Sequence, residues 1–160
     1  MYLLCTKKEL EKTSNFLASR FGISKDYLNR FLCYRYKKSL FLITNEKKEI
    51  IQKLILKKNI RSLGIEFFCD IKKLIPSSLG FCGVFKAEQI KNNFLILNRK
   101  QAISFFENEN IDAKKIESKN LLSSGYVIGI YNKKIIGTLY YDKTKEICTP
   151  NLSFENKNIK

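Results

Sequence analysis

The sequence predicts an α+β chain in two units, residues 1–90 and 91–160. Three observations point there. Residues 7–20 repeat their apolar positions at a helical spacing behind a capping signal, two apolar runs at 31–36 and 39–44 flank a lysine pair, and a second such hairpin occupies 123–143 after a strand that runs straight into a helix. The change of period from helical to alternating inside each half marks mixed structure rather than a bundle.

The elements follow in order. Thr6-Lys7-Lys8-Glu9 has capping-box spacing, with Thr6 as N-cap and Glu9 returning to its backbone. The helix behind it buries Leu10, Phe16, Leu17 and Phe21, and Gly22 stands where a left-handed cap would end it. Ser24 caps a short second helix carrying Tyr27, Leu28 and Phe31. FLCYRY (31–36) and SLFLIT (39–44) form a hairpin around Lys37-Lys38. Asn45 starts a helix over 46–57, with Ile50, Ile51, Leu54 and Ile55 inward and Lys47, Lys48, Lys53, Lys57 and Lys58 on the other face. A strand-like SLGIEFFCDI (62–71), a turn at Pro76 and an apolar run LGFCGVF (79–85) complete the first unit.

Lys91-Asn92-Asn93 is the junction. Beyond it FLIL (94–97) is a buried strand type, Asn98 an N-cap, and RKQAISFFENE (99–109) helical by period. A polar stretch over 107–119 leads to the hairpin SSGYVIGIYNKKIIGTLYYDK, and a short strand near 146–149 precedes a polar tail that is expected to fray.

Charge is the most informative property of the composition. Thirty Lys and Arg stand against fifteen Asp and Glu, a net of +15. The first eighty residues carry seventeen bases and seven acids, and the second eighty carry thirteen and eight. Uncompensated cations in such number point to a polyanionic partner, because phosphate neutralisation releases counterions. The plainer account is a solubilising surface in a chain also rich in Ile and Asn.

Other function classes lose support. The longest apolar runs span four or five residues, well below the roughly 20 a membrane helix needs, so no membrane association is expected, and a cytosolic or nuclear protein is. The five cysteines (Cys5, Cys33, Cys69, Cys82, Cys148) form no CxxC pair and the chain has no histidine, so neither a metal nor a cofactor is expected and the thiols read as buried and reduced. Without histidine the usual general base near neutral pH is missing, and no phosphate-binding glycine loop is present. No enzyme activity is expected.

The second unit resembles a PUA domain, the small β pseudo-barrel of RNA-modifying enzymes and ribosome assembly factors. The residues that carry this are NNFLILNRKQAISFF and GYVIGIYNKKIIGTLYY, the latter with a glycine, apolar residues, a polar turn and a second glycine, Gly125 and Gly137. The first half is similar to the N-terminal (pre-PUA) α/β domain of the Nip-seven ribosome-biogenesis family. The matching features are the Phe31 to Cys33 strand, the Asn45-Glu46 helix start and the Ser62-Leu63-Gly64 strand, in that order, and PSSLGFCGVFKAEQIKNNFLILNRKQA has the layout of the family's junction. The likeness runs over residues 5–150. Two segments depart from the pattern: no glycine lies between 84 and 124, where PUA domains usually have a glycine-rich segment, and Pro150 interrupts the closing region.

The resemblance implies a non-catalytic RNA-binding assembly factor for the large ribosomal subunit, acting in pre-rRNA processing, with RNA held through the PUA-like unit and pre-ribosomal proteins through the N-terminal one. It also implies a nucleolar location in a eukaryote and a cytoplasmic one in an archaeon. A monomer is expected.

The residues themselves offer candidates for the RNA contact: Lys133 and Lys134 at the hairpin turn, Lys143 and Lys145 in the next loop, and Arg99 and Lys100 at a helix N-terminus. Each has a plainer reading as a solvated turn or first helical turn. Tyr126, Tyr131, Tyr140 and Tyr141 are candidate stacking faces, although strand alternation sends some, and by expectation most, to the core. Gly125 and Gly137 read more readily as turn and close-packing glycines than as RNA contacts. Two alternatives stay open. One is a PUA-containing RNA-modification enzyme or its accessory subunit, with Asp26, Asp70, Asp112 and Asp142 as the acids to test; the other is a PUA-type translation factor. Whether the basic helix over 46–58 docks RNA or protein is open as well.

Overall fold

The structure is a computed structural model and describes residues 2–45, 49, 53, 54 and 63–152. All of the helix expected over 46–57 except residues 49, 53 and 54, the Ser62 start of the third strand-like run and the tail from 153 lie outside the described residues.

The chain is α+β with two sheets. The first has strand order β1-β2-β3-β4-β5, made of Tyr2–Leu4, Phe31–Tyr36, Ser39–Thr44, Ile65–Asp70 and Ile75–Pro76, all antiparallel. Helix α1 (Lys7–Phe21) packs on it. Its capping box is formed, with the Glu9 amide donating to Thr6 Oγ1 at 3.2 Å and the Thr6 amide to Glu9 Oε2 at 2.8 Å, and Gly22 closes its far end. The segment after Ser24 is a 3-10 helix, Lys25–Arg30, and its Tyr27 and Leu28 are buried.

The second sheet has order β7-β11-β10-β9-β6-β8, from Ile111–Asp112, Ile147–Pro150, Lys134–Asp142, Gly125–Tyr131, Phe94–Ile96 and Ser118–Asn120. Only β6 and β9 pair in parallel within it. Helix α3 (Arg99–Phe106) follows β6 with Asn98 as cap, as its sequence predicts.

Several segments differ from the sequence reading: Tyr2–Leu4 is a strand where none is expected, Pro76, expected in a turn, ends strand β5, and helix α3 stops at Phe106 short of 109. The apolar run after Pro76 is a helix, α2 (Ser78–Val84), capped by the Ser77 hydroxyl on the Gly80 amide at 3.2 Å. Seven residues are too few for periodicity to separate helix from strand. Tertiary contact decides it: Phe81 stacks on Phe67 with centroids 4.9 Å apart, and Gly80 lies so close to Glu66 O that no side chain fits between. The polar stretch at 107–119 also holds structure, the two-residue β7, a 3-10 turn Ala113–Lys115 and β8, all too short and polar to leave a pattern.

The two sheets share a core. Strand β9 alternates, so Ile128 and Ile130 join the cluster of Leu17, Phe21, Phe67, Phe68 and Phe81, while Val127 points the other way into the cluster of Leu95, Phe105, Leu139 and Cys148. A strand buried on both faces has no room for the usual polar alternation, which is why GYVIGIY carries almost none.

Polar bonds close the same seam. The Arg20 fork at the end of α1 donates to Tyr126 O at 2.7 Å, Ser123 Oγ at 2.7 Å and Ser123 O at 2.9 Å. Buried Asn93, at a left-handed φ of 53°, donates to Arg20 O at 2.6 Å and accepts from the Leu122 amide at 3.0 Å. On the opposite side buried Ser78 of α2 accepts from the Thr138 amide at 2.9 Å and donates to Asn151 O at 2.6 Å, while Asn151 Nδ2 donates to Pro76 O at 2.7 Å. Gly125 and Gly137 are the close-packing positions of this seam, one under the Arg20 guanidinium and the other against the Phe105 ring.

Removing the Ser78 hydroxyl leaves a buried amide and a carbonyl short of partners. Ser78→Ala is therefore expected to lower the unfolding free energy by about 1–3 kcal/mol in urea titrations; an unchanged midpoint and slope would show that the network carries no stability.

Candidate nucleic-acid interface

The second hairpin turns through Asn132 and Lys133, both at positive φ (48° and 61°), the geometry of a two-residue turn whose twist matches its strands. Lys134 is the first residue of β10 and pairs with Tyr131. The tip is thus Asn132-Lys133 flanked by Lys134, and both lysines are exposed.

Arg99 and Lys100 reach the same end of the sheet by another route. Strand β6 runs parallel to β9, and the Leu97 amide donates to Ile130 O at 2.8 Å, one residue before the strand ends. Asn98 then caps α3, accepting from the Gln101 amide at 3.0 Å while Gln101 Oε1 accepts from the Asn98 amide at 2.9 Å. Both cations are exposed on the first turn of a helix whose start is pinned to β9. Among the described residues none of Arg99, Lys100, Lys133 and Lys134 has an acidic partner. Lys100 also borders a shallow pocket of about 310 Å³ whose walls include Gln101, Ser104, Ile111, Asp112 and Lys115.

Lys143 and Lys145 stand apart from these four. They follow the nine-residue β10, which at about 3.3 Å per residue carries the chain roughly 26 Å from the tip. There Asp142 accepts from the Thr144 amide at 2.9 Å and the Lys145 amide at 3.3 Å, and Lys145 Nζ sits 3.8 Å from the same side chain. The Lys143 amide donates to Ser124 Oγ at 2.9 Å. The structure therefore gathers four of the six candidates at one end of the hairpin and two at the other.

The tyrosines divide differently from expectation. Of the four, only Tyr141 is buried. Tyr126 and Tyr131 are half-buried, and Tyr140 is 46% exposed with its ring edge-on to Tyr126 at 5.5 Å. Tyr140 sits at an outward position of β10, and the bonds around Arg20 hold the adjoining strand close to α1.

Each of the four aspartates has a structural task. Asp26 accepts from Asn29 Nδ2, Asp70 from the Lys72 and Lys73 amides at 2.9 and 3.1 Å, Asp112 from the Lys114 amide at 2.9 Å, and Asp142 from the turn already described. The five cysteines form no disulfide, and burial pushes the Cys33 and Cys148 thiols up to about 12, which keeps them protonated. Among the described residues no three His, Cys, Asp or Glu side chains gather to hold a metal ion, and no helix is long and apolar enough to cross a membrane.

Sequence reading passed over Lys72-Lys73, which the fold sets beside Lys37-Lys38. The signal for it was weak, two Lys-Lys dipeptides each at the end of a strand in the same half.

No family model matches the chain, and no curated protein matches it.

Asp70 gives a pH prediction. The Lys73 amide is the main influence lowering its carboxyl below the ordinary value, against desolvation and with help from the Lys72 amide and the Lys38 and Lys73 charges. With the folded value below the unfolded one, its contribution is complete above about pH 4 and is lost as pH falls through the folded value. The stability gap between wild type and Asp70→Asn should hold from neutral pH down to that point and shrink below it. A gap independent of pH between 2 and about 6 would contradict this.

Proposed function

We propose that the protein is a non-catalytic RNA-binding assembly factor for the large ribosomal subunit, acting in pre-rRNA processing, and that residues 91–160 are a PUA-like unit that holds the RNA. The observation that carries this is the convergence of Arg99, Lys100, Lys133 and Lys134, exposed and without acidic partners, at one end of the six-stranded sheet. All four stand on a tight hairpin turn, a strand end or a capped helix turn, so little backbone ordering is needed when phosphate arrives. Contacts of this kind position RNA and carry no base information by themselves. Net charge of +15 supports a polyanionic partner, and the resemblance of both halves to the Nip-seven family supports the ribosomal assignment.

The RNA-modification alternative needs a carboxylate available to substrate. Asp26, Asp70, Asp112 and Asp142 already serve caps and turns, which favours the binding role over the catalytic one.

The test is fluorescence anisotropy with single-stranded RNA across a salt series. Changing Arg99, Lys100, Lys133 and Lys134 to Ala together should weaken binding and reduce the log–log salt slope by about 3, at roughly 0.7 for each phosphate that is no longer neutralised. In cell extracts the protein should sediment with immature large subunits. A wild-type protein with no salt-sensitive RNA affinity and no such comigration would overturn the proposal.

A further inference from the structure

The first unit presents a second cationic surface, at a distance from the hairpin tip. Two lysine turns of the first sheet meet at one end of it. Lys37-Lys38 joins β2 to β3, Lys72-Lys73 follows β4, and the Ile71 amide donates to Lys38 O at 2.8 Å, which fixes one turn against the other. Helix α1 adds Lys12, whose Nζ donates to Lys72 O at 2.7 Å and keeps two further N–H donors. Lys12, Lys38, Lys72 and Lys73 are all exposed.

Among the described residues the nearby acids are Asp70, on which the Lys38 and Lys73 charges act, Glu9, Asp26 and Glu11. Asp70, 8% exposed, turns its carboxylate to the Lys72 and Lys73 amides. Glu9 is held by the Thr6 amide and by Arg35 at 3.5 Å, and Asp26 by Asn29. Glu11 is exposed one residue before Lys12, rotated about 100° around the helix from it. Beside the turns a shallow groove of about 670 Å³ runs along α1 between Lys12 and Lys25, with Asn15 and Ser19 beside the apolar Phe16, Ala18 and Leu74, and with no acid among the described residues of its walls.

The same helix leads to the second pair of lysines. From Lys12 to Arg20 α1 covers about 12 Å. Arg20 binds Ser123, and the neighbouring Ser124 accepts from the Lys143 amide. The far pair is therefore adjacent to this surface and remote from the tip.

We infer that Lys12, Lys25, Lys38, Lys72 and Lys73 form a second phosphate-backbone site along α1, and that Lys143 and Lys145 extend it. The ligand is a further stretch of the RNA held at the hairpin tip, so the inference rests on the RNA-binding reading. Engagement of both ends makes the second contact intramolecular, which raises affinity for strands long enough to span them and leaves short ones unaffected.

The test compares wild type, the four-residue tip variant, and a turn variant with Lys38, Lys72 and Lys73 changed to Ala, each titrated with fluorescein-labelled (U)30 across salt. The turn variant should lose affinity and reduce the salt slope by about 2. Adding the tip changes should reduce the slope further. A turn variant that binds (U)30 like wild type, while the tip variant loses affinity, overturns this inference and leaves the RNA-binding reading standing. A wild-type protein that binds no RNA sinks that reading and this one with it. Urea midpoints check folding, and if the triple variant unfolds early, single Lys73→Gln carries the comparison, with a slope reduction of about 0.7 expected and an unchanged slope overturning the inference.

Discussion

Strand β9 serves two cores at once, and most of the molecule is arranged to permit that. Ile128 and Ile130 face the aromatic cluster of the first unit, and Val127 faces the second. A strand enclosed on both sides must have its ladder complete and its ends tied, since any unpaired amide there is cut off from water. The parallel partner β6 and the antiparallel partner β10 complete the ladder. Arg20 and Asn93 tie one end, and the Ser78, Thr138 and Asn151 bonds hold α2 against β10. The interface between the two halves is thus built as core rather than as a surface contact, with apolar packing supplying the larger share of its energy and the polar bonds its register.

This enclosure has an electrostatic consequence. With the middle of the hairpin given over to packing, its charged residues are confined to the two ends of β10, about 26 Å apart by strand length. The tip then lies at one end together with the start of α3, and the return loop lies beside Ser124, next to the Ser123 that Arg20 of α1 binds. A chain with fifteen excess positive charges would suffer self-repulsion if they crowded one spot. Distribution over two surfaces lessens that repulsion and suits a long polyanion better than a compact one.

Much of the fold can be read from local signals. The Thr6 and Asn98 boxes, both hairpins and the FLIL strand declare themselves through neighbours three or fewer residues away, or through clean alternation. Helix α2 does not, because what selects it is the close approach of Gly80 to β4 and the stacking of Phe81 on Phe67. The tip lysines are legible for the same local reason as the turn. The separation of Lys143 and Lys145 from them is not, since it depends on β10 continuing unbroken to Asp142, and the meeting of Lys38 with Lys72 depends on the long-range pairing of β3 with β4 that the Ile71 amide extends to Lys38 O. Tyrosine exposure went unread because β9 is covered on both sides while β10 leaves Tyr140 outside.

The proposed hold on large-subunit precursor RNA lies at the ends of β6, β9 and β10. Ultraviolet crosslinking in growing cells tests it most directly, with sequencing of the attached RNA and mass spectrometry of the attached peptides. The account predicts large-subunit precursor sequences, joined to peptides that contain Arg99 and Lys100 or span Tyr131 to Lys134. Crosslinks chiefly to messenger, transfer or small-subunit RNA, or to peptides lacking these residues altogether, would contradict it.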